Sequence, residues 1–341
     1  MKKADFFQKI NDNKVKCTLC NQGCVIADNH RGLCGVRENR KGILYSLVYG
    51  KVIAQHVDPI EKKPFYHFLS GSQSYSIATV GCNLKCMHCQ NADISQSSKE
   101  GFFYDKYELP GENVTPQQIV EEAKNSNCQS ISYTYTEPTV FYEFALDCMK
   151  LAKKEGLKNT WVTNGYTSTD ALTKVAEFLD AVNVDLKFFK ETTYQQICGA
   201  KLLPVLNNLR LLKKLGVWVE VTTLIIPKQN DSIEELTNIA NFINNDLGSE
   251  TPWHVTAFSS AYKMINTPQT SQRAILKAVE IGKTAGLKYV YSGNIMDNET
   301  SITYCPKCNE KIIERLAYQT NRLDDNGKCS KCKTIIDGVL I

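Results

Sequence analysis

Between about residue 75 and residue 295, apolar β-prone runs alternate with stretches whose apolar residues recur at helical spacing. One helical stretch opens at Thr115-Pro116, an N-cap residue followed by proline, and places Ile119, Val120 and Ala123 on one face. Repeated strand–helix units predict a parallel sheet with right-handed crossovers. The predicted strands are Tyr75–Val80, Ser130–Thr134, Asn159–Thr163, Ala181–Leu186, Val217–Leu224, His254–Phe258 and Lys288–Tyr291. So many units favour an α/β fold with a partial or full parallel β/α barrel.

Polar residues stand where several of these strands end. Glu137 follows the second strand, Asn164-Gly165 follows the third, and Asp185 and Lys187 lie at the end of the fourth. Active sites of barrels lie at the carboxyl ends of the strands, so these groups are expected to converge. Glu137 can accept hydrogen bonds from an ammonium group and Lys187 can pair with a carboxylate. The set therefore suits a zwitterionic ligand.

The pattern divides the chain into four parts. Residues 41–74 are predicted to contain a hairpin, in which Ile43–Val48 and Val52–Ala54 flank Tyr49-Gly50-Lys51. The segment Asp58–Phe68 is dense in charged and aromatic residues, and His67 within it is expected to be structural. The four predicted parts are a metal-binding module at 1–40, connecting strands and an irregular segment at 41–74, the barrel at 75–295, and a zinc-ribbon-like module at 300–341.

Composition narrows the class of protein. Of the 341 residues, 43% are hydrophobic and 22% are charged, as in a soluble globular protein, and the net charge of +4 is too small to favour nucleic acid or a membrane as the main partner. No apolar run approaches the ~20 residues of a membrane span. The start, Met1-Lys2-Lys3-Ala4-Asp5, lacks the apolar segment of a signal peptide. We therefore expect a cytoplasmic protein.

The fourteen cysteines are unevenly distributed along the chain, since eleven of them fall into three tight groups. In a cytoplasmic protein such groups favour metal binding over disulfides. The remaining three, Cys128, Cys148 and Cys198, are isolated in the sequence and are expected to be buried free thiols. The groups are Cys17, Cys20, Cys24 and Cys34; Cys82, Cys86 and Cys89; and Cys305, Cys308, Cys329 and Cys332.

The middle group has the spacing C-x3-C-x2-C and follows a predicted strand that stops at Gly81. Thiolates are the usual ligands of iron–sulfur clusters. Cys82, Cys86 and Cys89 can hold three irons of a four-iron cluster and leave the fourth iron open for another ligand. A structural zinc loop and buried thiols are the alternatives, and the position after a strand at the mouth of an α/β pattern argues against both.

The terminal groups each offer four thiolates. The first can bind zinc or carry an iron–sulfur cluster; the spacing does not separate these, and the shortness of the segment favours structural zinc. The last consists of two C-x2-C knuckles, typical of a zinc ribbon, with a rubredoxin-like single iron as the alternative. Its lysines and acidic residues are mixed and it has no aromatic platform, which makes nucleic-acid binding unlikely there.

The middle group resembles the signature of the radical S-adenosylmethionine (SAM) superfamily, in which the amino and carboxylate groups of SAM occupy the fourth iron. Residues 75–295 resemble its activating-enzyme branch, which acts on pyruvate formate-lyase and other glycyl-radical enzymes. Thr136-Glu137-Pro138 stands in the place of a Gly-Gly-Glu-like motif that contacts the SAM amino group. Asn164-Gly165 and Asp185-Leu186-Lys187 match a Thr-Asn-Gly element and an Asp-Leu-Lys element near the SAM carboxylate and ribose.

The chain is also similar to AmmeMemoRadiSam-system radical SAM proteins in four segments. It departs from the wider pattern at three positions. His88 stands where an aromatic residue often packs near the adenine, Ser259 stands in place of a histidine, and Val162 replaces the aspartate of activating enzymes. The similar segments are Asp58–Phe68, Gly81–Asn91, Tyr133–Pro138 and Trp253–Thr256.

The resemblance implies an oxidoreductase that uses a [4Fe-4S] cluster and SAM to generate a 5′-deoxyadenosyl radical. It implies a flavodoxin or ferredoxin as reductant. The hydrogen donor is an unidentified substrate, with other proteins of the AmmeMemoRadiSam system as candidate partners. One alternative is an activating enzyme that forms a glycyl radical on a partner enzyme. Another is a catalytically silent scaffold stapled by metals.

Overall fold

The amino-terminal residues form short antiparallel strands. The structure is a computed structural model that describes residues 1–100, 109–297 and 299–340. Strands β2, β3 and β4 pair in one small sheet and β1, β6 and β5 in another. The bounds are β1 (Lys2–Lys3), β2 (Phe7–Lys9), β3 (Val15–Cys17), β4 (Val25–Ile26), β5 (Arg37–Arg40), β6 (Ile43–Ser46) and β7 (Lys51–Val52).

The predicted hairpin around Tyr49-Gly50-Lys51 is wrong, because β6 and β7 belong to different sheets. Strand β7 pairs instead with β10 (Glu112–Asn113). Gly50 has φ +71°, and a Cβ there would lie 2.7 Å from the carbonyl oxygen of Val114. The Val114 amide also donates to the Gly50 carbonyl at 2.8 Å, so the turn is held against β10 rather than folded back on β6.

The predicted parallel sheet is present as the centre of the fold. Seven strands run parallel, and β8 pairs antiparallel to β9 at one edge. In the described residues the order is β16-β15-β14-β13-β12-β11-β9-β8, so the edges β8 and β16 do not meet and the barrel is open. The bounds are β8 (Ala54–Pro59), β9 (Gln73–Ala78), β11 (Ser130–Tyr133), β12 (Lys158–Thr163), β13 (Ala181–Asp185), β14 (Trp218–Ile225), β15 (Trp253–Ala257) and β16 (Val290–Gly293).

Helices cross over between these strands. Thr115 caps α3 in a capping box with Gln118, as the sequence predicts, and serines cap α5, α8 and α9. The helices are α1 (Ala92–Ser95), α2 (Ser97–Glu100), α3 (Pro116–Asn125), α4 (Tyr142–Lys154), α5 (Thr169–Ala176), α6 (Glu191–Thr193), α7 (Leu202–Lys214), α8 (Ile233–Phe242) and α9 (Gln272–Thr284). Within the described residues, no helix combines the length and apolar character needed to cross a bilayer.

Three hydrophobic clusters of the described residues organise the packing, and the smallest contains Ile60, Phe65, Phe68, Leu69 and Ala181. The main core lies between the sheet and its helices, and it includes Val15, Leu19 and Val36 from the amino-terminal segment. The second core joins the carboxyl-terminal strands to Tyr291 of β16. These strands are β17 (Thr303–Tyr304), β18 (Lys311–Leu316) and β19 (Gln319–Arg322), and they form one antiparallel sheet.

His67 has a structural role, because it connects the carboxyl-terminal residues to the sheet. It is fully buried, and its Nδ1 and Nε2 lie 2.6 Å from the Asp337 carbonyl oxygen and 2.6 Å from the Tyr291 hydroxyl. A carbonyl only accepts, so Nδ1 carries the proton and Nε2 accepts from Tyr291. Burial lowers the pKa of His67 to about 4, and the ring is therefore neutral at pH 7.

This neutral histidine predicts a loss of stability in acid. Between pH 6.5 and about 4 the unfolded chain protonates His67 and the folded chain does not, so the free energy of unfolding falls as pH falls. The slope approaches about 1.4 kcal/mol per pH unit. In His67→Gln this contribution is missing. The free energy of unfolding, measured with urea at pH 7 and at pH 5, is expected to differ less between wild type and variant at pH 5 than at pH 7. An unchanged difference would contradict this assignment.

Candidate active site and cysteine clusters

The three-cysteine loop follows β9 at the carboxyl edge of the sheet. Gly81 begins it with φ +101°, and a Cβ there would lie 2.6 Å from Val36 Cγ1, so a side chain does not fit. The amides of Lys85 and Met87 donate at 3.0 Å to the carbonyls of Cys198 and Ile197. The loop is thus fixed between the amino-terminal segment and the π-helical turn Tyr194–Cys198.

The loop sulfurs already receive hydrogen bonds. The Leu84 amide and Asn164 Nδ2 donate to Cys82 Sγ at 3.4 and 3.7 Å, and Cys89 Sγ lies 3.1 Å from the Ser95 hydroxyl. Burial raises the pKa of Cys82 and of Cys89, so their thiolates need a positive partner.

The separation of the sulfurs distinguishes a cluster from a single ion. Two thiolates on one zinc ion, each at about 2.3 Å, are no more than about 4.6 Å apart. Only two groups of three or more ligand side chains among the described residues have all ligand atoms within 4.8 Å of one another, and Cys82, Cys86 and Cys89 together are not one of them. A four-iron cluster, which places each thiolate on a different iron, fits this wider arrangement.

The strand-end residues line the same cavity as the three cysteines. This cavity has a volume of about 450 Å³ and is bordered by Glu137, Asn164, Asp185 and Lys187 as well. Glu137 is buried; its Oε1 accepts from the Thr139 amide and hydroxyl and from the Thr163 hydroxyl, and its Oε2 accepts from the Asn164 amide at 2.8 Å. Burial raises the pKa of Glu137, and these four donors oppose the shift by stabilising the carboxylate.

Asn164 and Gly165 contact the cysteine loop and the helix behind it. Asn164 Nδ2 donates to Asn83 Oδ1 at 2.8 Å, in addition to its contact with Cys82. Gly165 does not line the cavity; its φ is +69°, and a Cβ would lie 2.8 Å from Val184 Cγ1. Its place is therefore that of a backbone turn which aims Asn164 at the loop.

Asp185 and Lys187 form an ion pair of 2.8 Å inside the cavity. Burial lowers the pKa of Lys187, but the attraction of Asp185 and of the thiols Cys86 and Cys198 outweighs it and raises the pKa well above its usual value. Lys187 is therefore charged and lies beside the cysteine loop.

The three departures from the family pattern differ in position. His88 lines the cavity, is buried, and has a pKa lowered by burial to about 3, so its ring is neutral; it meets Phe188 edge to face at 5.9 Å. Val162 also lines the cavity. Ser259 is exposed and does not line it.

One wall of the cavity was not predicted. Lys62 and Lys63 line it together with Tyr135. Asp58 accepts from the two lysines at 2.7 and 2.6 Å and from the Tyr135 hydroxyl. Burial lowers the pKa of Lys63 to about 8. The charge density of Asp58–Phe68 was the available signal, but nothing local indicates that this segment, on the antiparallel edge of the sheet, reaches the cavity.

Cys198, which is isolated in the sequence, lies close to another cysteine in space. The π-helical turn brings it next to the loop, so that its sulfur, Cys86 Sγ and a His88 ring nitrogen all lie within 4.8 Å of one another. Cys198 is buried, as predicted. A fourth thiol therefore lies beside one of the three predicted cluster ligands.

The terminal groups differ from each other. The sulfurs of Cys305, Cys308, Cys329 and Cys332 all lie within 4.8 Å, with contacts of 3.6 and 3.5 Å across the group. This spacing is that of four thiolates around one ion. The amino-terminal four, Cys17, Cys20, Cys24 and Cys34, instead line one small cavity beside Asn83.

The fold and site thus define an open parallel β/α barrel with a cysteine loop and a polar cavity at its carboxyl edge. The sequence profile of the Radical SAM superfamily matches residues 76–243. A Methanocaldococcus jannaschii protein named Uncharacterized protein MJ0808 is 43% identical over 343 residues, covering 100% of both chains. The chain belongs to the Radical SAM superfamily.

More distant similarities agree with this. The putative glycyl-radical enzyme activating enzyme MJ1632 of M. jannaschii is 28% identical over 65% of this chain and 80% of its own. The pyruvate formate-lyase-activating enzyme of Clostridium pasteurianum is 23% identical over 54% of this chain and 76% of its own. A solved radical SAM methyltransferase from Sphaerobacter thermophilus shares the fold, with a TM-score of 0.51, 13% identity and coverage of 66% of this chain and 67% of that chain. The predicted membership of the Radical SAM superfamily and the predicted fold class are confirmed.

Proposed function

We propose that this protein is a radical SAM oxidoreductase whose [4Fe-4S] cluster is held by Cys82, Cys86 and Cys89. The observation that carries the proposal is that the three thiols, whose sulfurs do not all lie within 4.8 Å of one another, line the same cavity as Glu137 and Lys187. When bound, the reduced cluster supplies one electron that cleaves SAM to methionine and a 5′-deoxyadenosyl radical, which abstracts hydrogen from a substrate.

The chain's own residues bind and orient SAM. Glu137 accepts from its ammonium group, and the Asp185–Lys187 pair contacts the carboxylate and ribose. Asn164 holds the cysteine loop through its hydrogen bonds to Asn83 and Cys82, and the backbone turn at Gly165 positions Asn164. The neutral His88 ring packs near the adenine. Glu137, Asn164 and His88 are buried, which helps to exclude water from the reacting centre.

The substrate is an unidentified small molecule or macromolecule, handled in the cytoplasm with a flavodoxin or ferredoxin as reductant and other AmmeMemoRadiSam-system proteins as candidate partners. Activation of a glycyl-radical enzyme is a second candidate, supported by the names of the activating-enzyme relatives. A stable glycyl radical on a partner protein selects this second function. Zinc is proposed at Cys305, Cys308, Cys329 and Cys332, on the strength of their close spacing.

Reduction with dithionite under anaerobic conditions tests the activity. We expect the electron paramagnetic resonance signal of the reconstituted cluster to shift on addition of SAM, and 5′-deoxyadenosine to appear by chromatography. Ser259→Ala, at an exposed position outside the cavity, is the matched control and should behave as wild type. If SAM does not shift the cluster signal and is not cleaved, the result favours the catalytically silent scaffold instead.

Glu137→Gln tests the ammonium contact. A lost hydrogen bond to a charged group costs about 1.5–3 kcal/mol, so SAM affinity should fall about 10–100-fold. The amide group of the variant also meets donors that the carboxylate accepts from, which adds to the loss. Affinity is measured by titrating SAM against the cluster signal, and the iron content should stay at the wild-type level. Unchanged affinity would remove Glu137 from the site.

A further inference from the structure

We propose that the amino-terminal thiols hold a second [4Fe-4S] cluster, ligated entirely by protein, rather than the structural zinc favoured by the shortness of their segment. The four ligands are Cys17, Cys20, Cys24 and Cys34. The inference concerns a different set of residues from the SAM-binding loop and does not depend on SAM cleavage.

The first observation is a cavity that all four cysteines share. The cavity is small, about 20 Å³, and Leu19, Ile26 and Val140 supply apolar walls. Four thiols that line one space are the donor set that a four-iron cluster ligated entirely by protein requires.

The second observation is the separation of the sulfurs. Across the described residues, no three of these four thiols have their sulfurs all within 4.8 Å of one another. Zinc bound by three or four thiolates requires separations below about 4.6 Å. The carboxyl-terminal cysteines of the same molecule meet that requirement, with sulfur–sulfur contacts of 3.5 and 3.6 Å. The wider arrangement of the amino-terminal sulfurs therefore indicates a different kind of site.

The third observation is a pair of buried donors that lack partners. Arg37 and Asn83 both line the cavity, and within the described part of the chain Arg37 Nε and Asn83 Nδ2 have no hydrogen-bond partner. Unsatisfied buried donors are rare and costly. Thiolate and sulfide sulfurs accept hydrogen bonds from N–H groups, and such bonds tune the reduction potential of a cluster. A negatively charged cluster therefore supplies the acceptors that these donors lack.

The position of the site connects it to the three-cysteine loop. Asn83 follows Cys82 directly, and the Cys34 carbonyl oxygen would lie 3.0 Å from a Cβ on Gly81. On the other side, Leu33 lines the cavity and is 61% exposed, so the site is one side chain away from solvent. A cluster here takes one electron from a low-potential donor of the flavodoxin or ferredoxin class and passes one electron to the loop cluster. No bond breaks and no proton moves in this step.

The test removes the loop ligands and counts what remains. The triple variant Cys82→Ala/Cys86→Ala/Cys89→Ala, reconstituted anaerobically, is expected to retain about four irons and four acid-labile sulfides per chain, against about eight of each in the wild type. Sulfide is the decisive readout, because a single iron at the carboxyl-terminal thiols brings none. Adding Cys24→Ala and Cys34→Ala should remove the remaining sulfide. Cys128→Ala/Cys148→Ala, which removes two buried thiols outside both sites, is the matched control and should keep the wild-type content.

A triple variant that is folded by circular dichroism, holds no sulfide and contains two zinc ions per chain would overturn the proposal. If the variants with amino-terminal substitutions fail to fold, the wild-type protein provides a second test. After reduction, its electron paramagnetic resonance spectrum is expected to contain two cluster signals, and SAM is expected to perturb one of them. A single cluster signal would count against the second site. Failure of SAM cleavage alone leaves the sulfide count unaffected, so the two proposals fail separately.

Discussion

Cys89→Ala is expected to abolish reductive cleavage of SAM. Losing even an outer-shell partner of a metal site costs about 10–100-fold in affinity or activity, so loss of a direct ligand should lower 5′-deoxyadenosine formation by more than about 100-fold. The sulfur of Cys89 has the Ser95 hydroxyl as its neighbour, and Ser95 is a poor substitute for a thiolate. Product is measured by chromatography after reduction in the presence of SAM. Wild-type rates in Cys89→Ala would refute the ligand assignment.

Cys86 is expected to respond differently, because the Cys198 sulfur lies within 4.8 Å of its own. In Cys86→Ala the neighbouring thiol can take the vacant iron, so we expect partial retention of the loop cluster. Cys86→Ala/Cys198→Ser should lose it as completely as Cys89→Ala does. Cys198→Ser alone is the control and should keep both iron and activity. Equal losses in the single and double variants would show that Cys198 does not substitute.

Arg37→Met is expected to destabilise the amino-terminal segment by about 3–5 kcal/mol, the cost of breaking a buried ion pair from one side. Arg37 is 1% exposed; its Nη1 and Nη2 donate to Glu143 at 3.0 and 2.8 Å, and Nη2 also donates to the Asp5 carbonyl at 2.8 Å. The variant leaves the Glu143 carboxylate buried on α4 without its counter-charge. Hydrogen exchange of β3 and β5 amides, followed by mass spectrometry, measures the effect locally.

The control for Arg37→Met is the double variant Arg37→Met/Glu143→Leu. It removes both charges and should recover most of the lost protection, because an apolar pair of similar volume replaces a buried ion pair at little cost. Protection in the single variant within about 1 kcal/mol of wild type would mean that water reaches Glu143 and that the pair contributes little.

The sequence was sufficient for the features that local pattern encodes. All seven predicted parallel strands are present, with ends that differ by at most two residues, because each is a short segment rich in β-branched and aromatic residues or small polar ones and is separated from the next by a helical pattern. The loop Cys82–Cys89, the strand-end residues Glu137 and Lys187, and the knuckle spacing at the carboxyl end are likewise readable, since each depends on residues close together in the chain. The order of β/α units then brings the strand ends to one edge without further information.

Tertiary structure decided whatever depends on contacts between distant segments. Lys63 reaches the cavity only because β8 pairs with the edge of the sheet, and Cys198 meets Cys86 only because a π-helical turn packs on the loop. The failed hairpin has the same cause: β7 found its partner about sixty residues away, in β10. The kind of metal site at the amino terminus also lies in this class. Cysteine spacing along the chain is compatible with zinc and with a cluster, and our proposal of a cluster rests on how the fold arranges the four sulfurs and the unpartnered donors Arg37 Nε and Asn83 Nδ2.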